Sequence, residues 1–345
     1  MSTVGADLMS AAVYVGDGRL TVKEVPVPDP GPGELLVEVA ACGICGSDLH
    51  LVLEQYARPG AVLGHEWSGR VVTGGPSDPR PGEPVVFEPT PGCGRCRPCR
   101  RGRPSVCKSR PVSDMRDMRG AFARYVTVSA ANVLRLPASL DMRAAALTEP
   151  TAIALHAIEL ADVTGDDRVL VTGAGPVGLI IVAVLRSLGV TDISVSEPVA
   201  LRRDRAIAVG ASSAFTPDEL VDPGMGRTVA RPYAAAFECS GRAAAAEQAI
   251  GQLDFAGTLV FVGTGSAPTR VNHNRMIIME LEAVGTYNYS AAGFGPAVDL
   301  LDRGVLPLDR LIEAGDVPLT GVMDAIGKLS RGEIAAKVLV RPQGF

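Results

Sequence analysis

Arg168-Val169-Leu170-Val171-Thr172-Gly173-Ala174-Gly175-Pro176-Val177-Gly178 is the stretch that decides the fold. A β-branched run enters a glycine-rich turn, and an apolar helix is predicted from Pro176 to Leu188. A G-x-G-x-x-G run alone is a weak signal, so the context carries the argument. A strand precedes the turn and a helix follows it. Glu197 then stands nineteen residues past Gly178, at the end of the next predicted strand, Ile193-Ser194-Val195. In that setting Gly173 permits the turn, Gly175 lets the backbone approach a pyrophosphate, and Gly178 lets helix and strand pack closely. Pro176 and Val177 open a helix whose N-terminus favours an anion. Glu197 can accept hydrogen bonds from both adenine-ribose hydroxyls and would repel a 2′-phosphate. NAD is therefore expected ahead of NADP, with Arg202 and Arg203 standing against it as residues that could receive such a phosphate.

The same rhythm continues around this unit. From about Thr151 strands and helices alternate: a helix from Val199 to Val209 closed by Gly210, strands at 234–237, 258–262 and 282–285, and a helix at 243–253. This is the pattern of a parallel sheet wrapped by helices. Before it, from Ala11 to about Leu136, the runs are short and strand-like: 35–39, 69–72, 84–87 and 125–128, each bounded by Gly, Pro or Asp. Prolines 26, 28, 30 and 32 punctuate a surface connection, and a β-barrel-like domain is expected there. The tail carries an amphipathic helix at 296–302 and a last strand, Lys337-Val338-Leu339-Val340, expected to return to the first domain. The linker 74–81 is unusual in composition and has no functional reading.

Composition bounds the class. A chain of 345 residues, 47% hydrophobic, can bury a large core in two domains. A net charge of −5 favours neither nucleic acid nor an anionic membrane as a general partner. The first thirty residues lack an apolar run behind a basic start, and the longest apolar stretch, 177–185, is too short to span a bilayer. A cytoplasmic location is expected.

Cys93, Cys96, Cys99 and Cys107 are spaced C-x2-C-x2-C-x7-C in a loop rich in Gly, Pro and Arg. Thiolates this close share a soft cation, and a tetrahedral zinc would cross-link a loop with little core of its own. A ferredoxin-type cluster would want a shorter last gap and a proline after the final cysteine, where this chain has Lys108. Four thiolates close the coordination shell, so this zinc is expected to be structural.

The chemistry must then lie elsewhere. Cys42-Gly43-Ile44-Cys45-Gly46-Ser47-Asp48-Leu49-His50 gathers thiol, hydroxyl, carboxylate and imidazole. Gly64-His65-Glu66 adds an imidazole and a carboxylate, and Thr148-Glu149-Pro150 a further carboxylate at a helix start. His156, on the Ala-rich helix after Glu149, and His273, in a polar loop, are expected to be structural.

With these pieces in this order the chain resembles the zinc-dependent medium-chain dehydrogenase/reductase family, the alcohol and polyol dehydrogenases. The resemblance covers nearly the whole chain, and few families combine all five motifs. It implies an α/β fold: a GroES-like β-barrel catalytic domain from residues 1–152 and 290–345, with the cysteine lobe at about 91–110, and an inserted Rossmann domain at 153–289. It implies a catalytic zinc on Cys45 and His65, approached by Glu66 and Glu149, with Asp48 orienting His65. A glutamate at 149, where animal and yeast alcohol dehydrogenases carry a cysteine, resembles the sorbitol, threonine and butanediol dehydrogenase branch. Which of Glu66 and Glu149 binds in the resting enzyme stays open.

The family's relay from substrate oxygen to solvent would fall on Ser47 and His50, while Val262, Gly263 and Thr286 match positions lining the nicotinamide. Arg202 matches an arginine lying against adenosine. The implied reaction moves hydride between a secondary alcohol, polyol or amino alcohol and NAD, reversibly, with two zinc ions per subunit in a homodimer or homotetramer. Leu51 to Tyr56 and Tyr287-Asn288-Tyr289 are the expected pocket segments. Two other readings stand beside this one. One is a zinc aldehyde or ketone reductase using NADPH. The other is a zinc-ribbon nucleic-acid module, suggested by Arg95, Arg97, Arg100, Arg101 and Arg103. The expected partner is a small alcohol or carbonyl compound, with neither nucleic acid nor membrane.

Overall fold

A computed structural model describes residues 7–74, 79–88, 92–109, 116 and 118–344. Residues 75–78 of the linker, and 91 and 110 at the ends of the cysteine lobe, lie outside the described residues.

β1 (Leu8–Gly16) and β2 (Arg19–Pro26) form an antiparallel hairpin. Its turn, Asp17-Gly18, has positive φ at both positions, 52° and 67°, the backbone that a right-twisted hairpin favours. The proline-rich connection leads to β3 (Glu34–Gly43), then α1 (Gly46–Leu53), β4 (Glu66–Thr73) and β5 (Pro84–Phe87). A four-residue helix, α2 (Arg97–Arg100), lies in the cysteine lobe, followed by β6 (Tyr125–Ser129), β7 (Val133–Arg135), α3 (Met142–Ala145) and α4 (Thr148–Ala161). All four short runs expected as strands fall inside β3, β4, β5 and β6.

The alternating half follows as β8 (Arg168–Thr172), α5 (Pro176–Ser187), β9 (Asp192–Ser196), α6 (Ala200–Val209), β10 (Ser213–Phe215) and β11 (Tyr233–Glu238). It continues through α7 (Ala243–Gln252), β12 (Leu253–Phe261), α8 (His273–Ile278), β13 (Glu282–Gly285) and α9 (Gly295–Asp302). His273 thus opens a helix instead of lying in a loop, because Asn272 accepts from the amides of Asn274 and Arg275 and caps it. The chain closes with α10 (Leu308–Leu311), β14 (Val317–Pro318), α11 (Val322–Ser330) and β15 (Leu339–Arg341).

Two larger sheets result. One is parallel, in the order β10-β9-β8-β11-β12-β13, the doubly wound order whose direction of winding reverses between β8 and β11. Ligands in such sheets bind outside the carboxyl ends of the strands at that reversal, where the glycine turn after β8 lies. The other sheet runs β14-β15-β3-β4-β5-β7, with β6 paired to β3. β15 joins it antiparallel, Leu339 opposite Gly43 and Val340 opposite Cys42, so the last strand sits beside the segment leading to Cys45.

Each sheet keeps a buried cluster of its own, around Leu35, Leu63 and Trp67 on one and around Leu170, Ala236 and Leu259 on the other, and a third cluster spans both. That third cluster holds Ala41, Val86 and Leu339 together with α4, nearly all of α5, and Val169 and Val171 of the parallel sheet. The apolar run 177–185 is therefore a buried helix, and among the described residues no helix is long and apolar enough to cross a membrane.

Candidate active site

The site is assembled at the junction of β3, α1, β4 and β15. Cys45 immediately precedes α1, and its N–H donates to Asp48 Oδ2 at 2.9 Å. Asp48 is fully buried; its other oxygen accepts the Gly64 N–H at 3.4 Å and lies 3.8 Å from His65 Nδ1. One carboxylate therefore ties the start of α1 to the segment just before β4. Burial pushes Asp48 up, opposed by His65 and by the Cys45 amide. Gly64, at φ 92°, has no room for a side chain, since a Cβ would stand 2.7 Å from Phe122 and 2.8 Å from Cys42 Sγ. That crowding fixes where His65 and Glu66 emerge.

Ligand atoms of Cys45, His65 and Glu66 all lie within 4.8 Å of one another. Thiolate, imidazole and carboxylate are the donor types zinc takes, and three protein ligands leave the open position that a catalytic zinc needs. His65 Nδ1 is buried without a hydrogen-bond partner among the described residues, 3.8 Å from Asp48 being too long for a bond. Burial alone would lower the His65 value; Cys45 foremost, then Asp48 and Glu149, overcome it and raise the group well above the ordinary imidazole range. A site that gathers negative charge around an imidazole fits a cation.

Glu149 sits in the first turn of α4, buried, outside this three-residue cluster. Its Oε1 accepts the Tyr289 hydroxyl at 2.8 Å, and burial foremost, with Glu66, lifts its carboxyl to about 7. Of the expected relay, Ser47 Oγ is buried with no partner among the described residues, whereas His50 Nδ1 lies 2.5 Å from Glu54, the residue that follows α1, both half-exposed. No bond joins Ser47 to His50 among the described residues.

The second thiol group is also assembled. Cys93, Cys96, Cys99 and Cys107 are free, and their sulfurs lie within 4.8 Å of one another. Cys96 Sγ stands 3.4 Å from Cys99 and 3.9 Å from Cys107, bracketing the ~3.8 Å edge of a tetrahedron built on 2.3 Å zinc–sulfur bonds. Backbone N–H groups of Arg95 and then Cys96 draw the Cys93 thiol down to about 5, while burial, then Cys96, pushes Cys99 up to about 11.

At the carboxyl end of β8, Gly173 takes φ 92° and packs on Ser240 of the loop after β11. A Cβ on Gly178 would fall 2.0 Å from the Gly173 carbonyl, which only glycine avoids, while Gly175 faces open space. No side chain caps α5, and Pro176 is its first residue, so its N-terminal amides remain available to an anion. Glu197 is buried and accepts the amides of Ala174 (2.8 Å) and Val199 (2.9 Å), which aims its carboxylate along the glycine turn. The amides of Val262 and Gly263 both donate to the Glu238 carbonyl, and Thr286 presents a buried hydroxyl with no partner among the described residues. Arg202 donates instead to the Leu329 and Ile334 carbonyls before β15, and Arg203 to those of Glu197 and Pro198.

Sequence reasoning missed Lys337. It is buried, with Nζ 2.8 Å and 2.7 Å from the two Glu66 oxygens and 3.1 Å from the Ile44 carbonyl. The signal was available: a lysine inside Ala335-Ala336-Lys337-Val338-Leu339-Val340 is buried only if something pairs with it. The Tyr289–Glu149 bond was also missed, since Tyr289 reads in sequence as pocket lining.

Comparison with known proteins fits this geometry. Residues 31–138 match the alcohol dehydrogenase GroES-like domain, and residues 176–303 the zinc-binding dehydrogenase domain. An L-threonine 3-dehydrogenase from Pyrococcus abyssi is 35% identical over 84% of this chain and 86% of its own length. A sorbitol dehydrogenase from Halalkalibacterium halodurans is 32% identical over 95% of this chain and 97% of its own. A zinc-binding dehydrogenase from Sinorhizobium meliloti, solved bound to NADP, superposes with a TM-score of 0.85 at 31% identity, covering 97% of this chain and 100% of its own. The chain belongs to the zinc-dependent medium-chain dehydrogenase/reductase family and is an oxidoreductase of alcohols and polyols that works with zinc and NAD(P).

Proposed function

We propose that the chain oxidises a secondary alcohol, polyol or amino alcohol with NAD, reversibly, at the Cys45–His65–Glu66 cluster. The observation that carries this reading is the convergence of thiol, imidazole and carboxylate donors from those three residues within 4.8 Å of one another. When bound, zinc acidifies a substrate hydroxyl or polarises a carbonyl, and the nicotinamide exchanges the hydride. The chain's own residues do the rest. Cys45, His65 and Glu66 hold the metal; Asp48 fixes the first two in relation to each other. Ser47 has a free buried oxygen placed to exchange the substrate proton, and His50, half-exposed against Glu54, is the group at the solvent end. With no bond between them among the described residues, the relay needs a bridging hydroxyl or water in the loaded enzyme. A second zinc on the four lobe cysteines has a structural role.

Glu197 supports NAD: a buried carboxylate aimed along the glycine turn suits two ribose hydroxyls and repels a 2′-phosphate. An NADPH-linked aldehyde or ketone reductase is the second reading, favoured by the NADP complex of the Sinorhizobium relative. The division into 1–152 with 290–345, and 153–289, belongs to the same proposal. So does a homodimer or homotetramer, supported by β13, an edge strand whose residues 282, 283 and 285 are exposed. The reading also takes the protein as cytoplasmic and free of nucleic-acid and membrane partners.

The deciding experiment counts zinc in purified active enzyme and screens secondary alcohols, polyols and amino alcohols with NAD and with NADP by nicotinamide absorbance. Two zinc atoms per chain and turnover preferring NAD are expected. One zinc per chain, retained when Cys45 is replaced, would overturn the site; a preference for NADP would select the second reading.

A further inference from the structure

Two carboxylates flank the Cys45–His65 pair, and the fold gives them different partners. Glu66 is held by an ammonium, Lys337, which donates to Oε1 at 2.8 Å and lies within ion-pair distance of Oε2, an atom with no hydrogen-bond partner among the described residues. Glu149 is held by a neutral phenol, Tyr289, at 2.8 Å. Only Glu66 has an oxygen inside the three-donor cluster.

The phenol's position is built and not incidental. Asn288 adopts φ 54°, a left-handed backbone that asparagine tolerates better than most residues. That turn sends Tyr287 outward, 60% exposed, and Tyr289 inward, 4% exposed. Tyr289 then packs edge-on against Phe294, with ring centroids 4.7 Å apart, which leaves its hydroxyl one direction to point. The Phe294 N–H is in turn held by Glu88 at 3.1 Å.

We propose that Tyr289 is a positioning residue that restrains Glu149 beside the metal centre but off it, keeping a coordination position free for the substrate oxygen. This rests on the reading of Cys45, His65 and Glu66 as the metal-holding set. A buried carboxylate next to a zinc site is drawn toward the cation unless another donor holds it. Tyr289 is the donor placed to do so, and Glu66 cannot be displaced cheaply because Lys337 locks it. Glu149 is thereby kept as a group that can visit the site without occupying it at rest.

The test uses the full-length zinc enzyme and three variants: Tyr289→Phe, Glu149→Gln and the double substitution. Phenylalanine keeps the ring packing on Phe294 and removes only the hydroxyl. Two quantities are read: the rate at which the catalytic zinc is lost to an excess of chelator, and kcat separately from KM. A freed Glu149 should bind the metal, so Tyr289→Phe should slow zinc loss and lower kcat, each by roughly tenfold, the size expected when a hydrogen bond to a charged group is removed. Glu149→Gln should release zinc at nearly the wild-type rate. In the Glu149→Gln background, Tyr289→Phe should change neither quantity by more than about twofold, because the two residues act as one unit. The proposal is overturned if Tyr289→Phe leaves zinc loss and kcat unchanged in the wild type. It is equally overturned if the effect persists with Glu149→Gln, which would make Tyr289 a packing residue. Failure of the underlying site reading is seen separately and earlier, as wild-type enzyme that holds zinc only on the four lobe cysteines.

Discussion

At the scale of single residues, the Lys337–Glu66 pair is the most consequential contact the fold adds to the motifs. Both side chains are buried, so with no metal on Glu66 each charge is tolerable only while the other remains. Lys337→Met should therefore destabilise the protein by about 3–5 kcal/mol in denaturant unfolding with the catalytic zinc removed, the range for stranding one member of a buried pair. Adding Glu66→Gln should recover much of the loss, because the stranded charge is gone. A loss under about 1 kcal/mol for Lys337→Met would mean that Glu66 is neutralised some other way. His156 makes a pH prediction of the opposite kind. Burial foremost holds it below the ordinary imidazole value, with Nδ1 lacking a hydrogen-bond partner among the described residues. The unfolded chain then binds a proton that the folded chain refuses, so stability is complete above the unfolded value of about 6.5 and falls as pH drops below it. In His156→Gln the fall in melting temperature between neutral pH and pH about 5 should be shallower than in wild type. Equal slopes would remove His156 from the linkage.

At the scale of elements, what could be read in advance depended on whether a local pattern had one physical solution. The strand–turn–helix at 168–187 had one: only glycine fits where a Cβ would meet the Gly173 carbonyl, and only a buried helix suits 177–185. The metal motifs were legible for the same reason, since donor types at fixed spacings have few other uses. The β1–β2 hairpin carried a local signal too, Asp17-Gly18, but β1 buries Ala11 to Tyr14 as an unbroken run and β2 buries no residue, so neither shows a clean alternation and it went unread. Lys337 and Tyr289 depend on pairings across 271 and 140 positions of sequence, and no local pattern encodes those. The cysteine lobe is the element whose stability the sequence predicts most directly. α2 has no buried residue, and Gly92 leaves no gap over Cys99 Sγ, so the four sulfurs do the work of a core. Cys99→Ser should remove one zinc per chain, lower the melting temperature by at least about 5 °C and expose 92–109 to protease. Unchanged melting together with lost activity would instead place chemistry in the lobe.

At the scale of the whole molecule, the question is whether two sheets mean two folding units. Strand order suggests independence, since no ladder joins the parallel sheet to the other among the described residues. The buried cluster argues the reverse. Ala41, Val86 and Leu339 belong to one sheet, Val169 and Val171 to the other, and α4 and α5 fill the space between them in one cluster, beside the separate cluster that each sheet keeps. Opening either sheet alone would expose much of that shared surface, at roughly 25 cal/mol for each Å² of apolar area. The chain ends reinforce the coupling: β15 is paired to β3, and Arg202 of α6 is bonded to carbonyls just before it. Trp67, the only tryptophan, lies in β4 stacked on Phe87 with centroids 6.3 Å apart, so its fluorescence reports one sheet alone. Far-UV circular dichroism is dominated by the helices, most of which flank the other sheet. Chains of this length often unfold in stages, so agreement between the two probes would be informative. The shared core predicts that tryptophan fluorescence and circular dichroism give the same thermal midpoint in the zinc-loaded enzyme. Midpoints separated by more than about 5 °C would show that the common cluster is too weak to bind the sheets into one cooperative unit.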